Sequence, residues 1–196
     1  MADAATIQPV GDVAGAQLLD IADRAVIDGL DDRLPELLMS ADLHADLHQR
    51  LGAFVTLSVS GVLNGCIGSI DGAEPLAESV ARHAWSAAFA DPRLPPLRRA
   101  DYPHLAIDVS VLSPLADMAS GSRDELLGAL RPGVDGLLIS SGARRAVFLP
   151  SVWERLHSPD EFIDQLLRKA GLDTASWPQD LRGYRFTAQK IGRSAR

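Results

Sequence analysis

The chain has 196 residues, 46% of them hydrophobic, and a formal net charge of −7. That length suits one large domain, or a domain with a smaller lobe packed on it, and the apolar content excludes a disordered chain. The acid excess weighs against a nucleic-acid surface, because the longest basic runs are the pairs Arg98-Arg99 and Arg144-Arg145.

The first residues, MADAATIQPVGD, lack the basic start and apolar core of a signal peptide. No run approaches the roughly 18 apolar residues of a membrane span. Cys66 is the only cysteine, which excludes an intrachain disulfide framework and fits a reducing compartment. The expectation is a soluble, cytoplasmic protein that binds neither nucleic acid nor membrane.

Asp12 can cap a helix running from Val13 to about Gly29, with Leu18, Ile21, Ala22 and Ala25 on one face. Pro35 interrupts the next stretch, Asp31 to Arg50. Within it His44 and His48 stand at i and i+4, a spacing that can hold a metal on one helix face. The glutamate of an HExxH site is missing and spacing nominates no third ligand. Two solvated histidines are the favoured reading, and no metal or cofactor is assigned.

Ala53 to Val59 alternates as a strand. The chain then continues through Val62 and Leu63, and a turn is expected at Gly65-Cys66-Ile67-Gly68, where glycines permit positive φ or close approach of a ligand. Pro75 opens a helix to about Ala90, with Leu76, Val80, Ala84 and Ala87 on one side and His83 adjoining that stripe. His83 reads first as a packed core histidine and only second as a base. Three prolines make Asp91 to Leu97 a rigid loop. Leu105 to Leu112 alternates as a half-buried strand that turns Asp108 and Ser110 to its other face.

Ser122 and Glu125 form a capping box opening a short helix to Leu130. Gly136–Ser140 and Ala143–Leu149 read as a hairpin around Ser141-Gly142. Further capping boxes stand at Ser151 to Glu154 and at Ser158 to Glu161. The helix after Ser158 turns Phe162, Leu166 and Leu167 inward, and Trp153, Phe162 and Tyr184 read as core. Leu181 to Lys190 is expected as one strand, and Ile191 to Arg196 as a frayed tail. This order of elements favours an α+β fold with a mainly antiparallel sheet flanked by helices, residues 1–190 forming one domain.

Seven motifs occur together in one order: LNGCIGSI at Leu63 to Ile70, DPRLPPL at Asp91 to Leu97, DVSVLS at Asp108 to Ser113, GVDGL at Gly133 to Leu137, RRAVFLPSVW at Arg144 to Trp153, LLRKAGL at Leu166 to Leu172 and YRF at Tyr184 to Phe186. In these the chain resembles the AMMECR domain family, whose bacterial members are called AmmeMemoRadiSam system protein A. The resemblance spans about Phe54 to Phe186. It implies two lobes around a cleft, and association with a Memo-like protein and a radical-SAM enzyme. The family motif reads LRGCIG, and suggestions of an active site centre on its cysteine. Here the motif arginine is replaced by Asn64, which can donate hydrogen bonds but carries no charge. Either Arg93 or Arg145 supplies that charge from elsewhere in the fold, or the site here is altered.

Two functions follow. In the first, Cys66 is a nucleophile that needs a base or a positive field, with His83 and His104 the nearest bases in sequence and Thr56 and Asn64 able to orient a substrate. In the second, the protein binds a small ligand or a partner without catalysis, using Thr56, Asn64, Gly65, Gly68, Arg93, Asp108 and Arg145 around the motif. Against both stands a purely structural Cys66, a small hydrophobe in a tight turn.

Overall fold

The computed structural model describes residues 10–35 and 43–195. The fold divides into two compact units: one comprises the described residues up to Leu112 together with those from Gln189 onward, and the other spans Ser113–Ala188. Each unit carries one four-stranded sheet, and the mixture of helices with antiparallel sheets is the expected α+β class.

In the first unit, helix α1 (Asp12–Leu30) is capped by Gly11, and Asp12 lies in its first turn, where a carboxylate favours the helix dipole. Strands β1 (Ala53–Val59) and β2 (Val62–Ser69) form a hairpin, followed by α2 (Leu76–Phe89) and β3 (Leu105–Leu112). The fourth strand, β8 (Ala188–Arg193), comes from the end of the chain and completes the order β2-β1-β3-β8. The frayed tail expected from Ile191 is therefore strand as far as Arg193. Helices α1 and α2 pack on each other and against the sheet. Strand residues Val55, Leu57, Ile107 and Val109 meet Leu18, Val80 and Ala84 in that core. Each large apolar side chain buried this way contributes about 1.5–3 kcal/mol.

The chain turns at Ser60 and Gly61, with φ of 50° and 81°, the two left-handed residues of a type I′ hairpin. The turn expected at Gly65 to Gly68 is absent, because that segment is the middle of β2. The irregularity there is a bulge: Leu57 pairs with Gly65 and Ser58 with Leu63, leaving Asn64 as the extra residue. No side chain fits at Gly65, whose Cβ would stand 1.8 Å from the Ala87 carbonyl oxygen of α2. At Gly68 a Cβ would fall 2.3 Å from the ring of Phe54, its cross-strand partner. Both glycines admit packing neighbours, not a ligand.

In the second unit, β4 (Ala116–Met118), β5 (Gly136–Ser141), β6 (Arg144–Phe148) and β7 (Arg182–Phe186) lie in the order β4-β7-β5-β6. The single strand expected over Leu181 to Lys190 is thus two strands in different sheets. Helix α3 (Arg123–Ala129) is capped by Ser122 and α4 (Pro159–Lys169) by Ser158, each side chain accepting the amide proton of the glutamate three residues on. The box expected at Ser151 is instead a 3-10 helix, Pro150–Glu154, with no side-chain cap. Within the core Trp153 stacks on Phe162 at 3.9 Å between ring centroids and donates its indole N–H to the Asp135 carbonyl at 2.8 Å.

Candidate functional site

The alternation of β1 and β3 sends odd-numbered residues into the helix-covered core and even-numbered ones to the opposite face. Cys66 shares that opposite face, because the preceding Gly65 is the residue that meets α2. Register places Cys66 beside Thr56, and Thr56 beside Asp108, so thiol, hydroxyl and carboxylate follow one another across three strands. With strands ~4.8 Å apart, the row spans about 10 Å. Cys66 is half-buried. The Thr56 hydroxyl donates to its sulfur, Oγ1 to Sγ being 3.3 Å. Asp108 leans the other way: its Oδ2 is 3.1 Å from Lys190 Nζ, and its Oδ1 lies over Gly192 of β8.

The backbone of Cys66 is held as closely as its side chain. Its amide donates to Asp91 Oδ2 at 3.0 Å, and its carbonyl accepts from Arg93 Nη2 at 2.7 Å. The same guanidinium grips Asp91, with Nε to Oδ1 at 2.8 Å and Nη2 to Oδ2 at 2.7 Å. Arg93, and the amides of Cys66 and of Arg93 itself, hold the Asp91 carboxyl far below the usual carboxylate range. Its side chain is 2% exposed against 61% for Arg93, so the acid is the anchored member of the pair.

Arg93 thus brings a guanidinium to the backbone of the motif at Cys66. Asn64 turns to the proline loop, Nδ2 lying 3.5 Å from the Pro95 carbonyl while its buried Oδ1 has no hydrogen-bond partner. Together with Val59, Val62, Leu63 and Leu94, and with Arg98 and Asp101 at its charged side, it lines a mainly apolar pocket of about 590 Å³. Arg145 belongs to the other unit, where it is exposed on β6 opposite Ser140.

Neither histidine joins the row. His83 is 2% exposed in the α2 core, on the far side of the sheet from Cys66, with Nδ1 3.3 Å from Ser79 Oγ. Burial, and secondarily the charge of Arg82, lowers its pKa to about 4, which keeps the ring neutral. His104 is exposed before β3, four residues from Asp108 and so ~13 Å along the strand. His44 caps the 3-10 helix Ala45–His48, accepting the Asp46 amide at Nδ1, so the two histidines do not share an α-helical face. The segment 36–42 before them lies outside the described residues. No group of three His, Cys, Asp or Glu arranged for a metal occurs among the described residues.

The residue that sequence reasoning missed is Asp91. Its partner amide is 25 positions away in sequence, and no spacing rule connects a loop acid to one edge-strand backbone. The only available signal was its place two residues before Arg93.

Fold and site together define an α+β protein with a half-buried strand cysteine whose backbone is held by an Asp-Arg pair. The chain belongs to the AMMECR1 family, whose model matches residues 19–191. It is 36% identical to a protein of Methanothermobacter thermautotrophicus over 163 residues, 80% of each chain. A Thermococcus onnurineus protein is also 36% identical, over 155 residues covering 74% of this chain and 73% of that one. The crystal structure of the uncharacterized protein PH0010 from Pyrococcus horikoshii superposes with a TM-score of 0.82 at 31% identity, covering 92% of this chain and 91% of that one. No helix among the described residues is long and apolar enough to cross a membrane.

Proposed function

We propose that this protein is a binding component, acting with a Memo-like protein and a radical-SAM enzyme, and that it recognises its partner through the face bearing Cys66, Thr56 and Asp108. The observation that carries this reading is that, among the described residues, no imidazole stands beside that row: His83 is buried behind the sheet, and His104 precedes β3, ~13 Å along the strand from Asp108. A thiol nucleophile needs a base or a net positive field, and the guanidinium nearest Cys66 is already neutralised by Asp91. What remains is a half-buried row of a soft thiol, a hydroxyl and a carboxylate, able to make specific contacts without chemistry. The partnership itself rests on the family resemblance.

The test mixes the purified chain with the Memo-like protein and the radical-SAM enzyme of the same organism and follows complex formation by size exclusion. The reading expects a complex that survives Cys66→Ser and is weakened at least tenfold by Asp108→Arg, which reverses the charge on the face. No complex, or one indifferent to Asp108→Arg, refutes it.

Thiol chemistry is the second reading, and one observation favours it: the Thr56 hydroxyl donates to the sulfur of a cysteine that is not fully enclosed. A donor to sulfur stabilises the thiolate. This reading requires that Cys66→Ser abolish whatever turnover the assembled system shows.

A further inference from the structure

Strand β2 is an edge of its sheet, and an edge strand presents alternate amide and carbonyl groups to an absent neighbour. At Cys66 those outward groups are answered by side chains. Asp91 accepts the amide proton and Arg93 donates to the carbonyl, the two bonds that a residue of a fifth strand would make. The pair is built for that place. Asp91 follows directly on the end of α2, Pro92 fixes φ between the partners, and the Arg93 amide closes back on Asp91 Oδ1 at 3.1 Å.

We infer that Asp91 and Arg93 are positioning residues for Cys66, holding its backbone through one bond each, and that removing the charge of one alone leaves the thiol in the field of the other. A guanidinium close to a cysteine favours the thiolate and a carboxylate opposes it. Salt-bridged to each other, they form a pair without net charge. The inference holds whether the face binds a partner or performs thiol chemistry, because it concerns only how the chain presents Cys66.

Two readouts test it. Amide exchange reads position: Asp91→Ala removes the acceptor and speeds exchange at the Cys66 amide at least tenfold, whereas Asp91→Asn retains an acceptor oxygen and does not. Alkylation by iodoacetamide at pH 7 reads charge, and the reagent is uncharged, so the protein's field does not attract it. Asp91→Asn leaves the guanidinium uncompensated and raises the rate about threefold or more. Arg93→Gln does not raise it, and the doubly substituted chain, again without net charge, returns to within twofold of wild type.

A loosened edge strand would behave differently: both single variants would react faster and the double variant fastest of all. That pattern, or equal rates in all four proteins, overturns the inference. If Asp91→Asn does not fold, Arg93→Gln decides the charge question: it leaves the carboxylate uncompensated and should slow alkylation about threefold. An unchanged rate overturns the electrostatic role. Arg93→Lys, which keeps the cation, should react at the wild-type rate. Faster alkylation of that variant would mean loosening and would reject the electrostatic role.

Discussion

His83 offers a direct measurement of how the helix-sheet core is built. Its ring is 2% exposed and its pKa falls from 6.5 to about 4, chiefly because burial penalises the charged form. In the unfolded chain it titrates near the ordinary value, so below pH 6.5 the unfolded state binds a proton that the folded state refuses. Stability is therefore fully present above pH 6.5 and is lost as pH falls towards 4. At 1.36 kcal/mol for each pH unit separating the two pKa values, the loss amounts to about 3 kcal/mol. Most of it falls between pH 6.5 and 4.5, and comparison with a variant lacking the imidazole removes the carboxylate titrations that enter the lower part of that window. The assay is urea unfolding at half-unit steps across that window, for wild type and for His83→Gln, whose amide can still meet Ser79. The wild-type free energy should fall by about 2–3 kcal/mol more than that of the variant. Parallel curves would refute a buried neutral histidine and reopen His83 as a solvent-coupled base.

Gly65→Ala places a Cβ 1.8 Å from the Ala87 carbonyl oxygen, so strand and helix must separate. The cost should be about 3 kcal/mol or more by urea unfolding, and a loss below 1 kcal/mol would contradict the packing. Thr56→Val removes the hydroxyl that donates to Cys66 Sγ. Iodoacetamide alkylation at pH 7 should slow about threefold, the equivalent of one modest hydrogen bond, and an unchanged rate would show that the contact is idle. Arg131→Met strands Asp135, whose side chain is fully buried and accepts from both Nε and Nη2 of Arg131. Stability should fall by about 2 kcal/mol or more, measured by thermal unfolding, because a buried carboxylate is left without its partner.

Local signals in the chain located most elements, because those signals act locally. The β3 range agrees with its alternation residue for residue, and Ser122 and Ser158 cap the helices their sequences announce. The misplaced turn has one cause: a glycine reads alike whether it turns the chain or admits a neighbour. Gly61 turns it. Gly65, four residues later, keeps it extended so that α2 can approach. The end of the chain failed for a different reason. Nothing in Leu181 to Lys190 says that the chain leaves one sheet at Phe186 and joins another at Ala188, since sheet membership is decided by distant partners. The site divided in the same way. Cys66, Thr56 and Asp108 fall on one face by period-two alternation and register, whereas the Asp91 contact depends on tertiary placement of the proline loop.

The departure of the motif at Asn64 acquires a physical meaning from the bulge. As the residue that β1 does not pair, Asn64 does not share the row of Cys66, Thr56 and Asp108, but lines the pocket beside the proline loop. A side chain at this position need not reach Cys66 for the motif to keep its shape. The hold on Cys66 comes from Arg93, through a carbonyl oxygen rather than the sulfur, and the charge comes already matched by a buried acid. A cysteine supported in this way is placed first and polarised second. Specific placement of this kind serves recognition as readily as reaction.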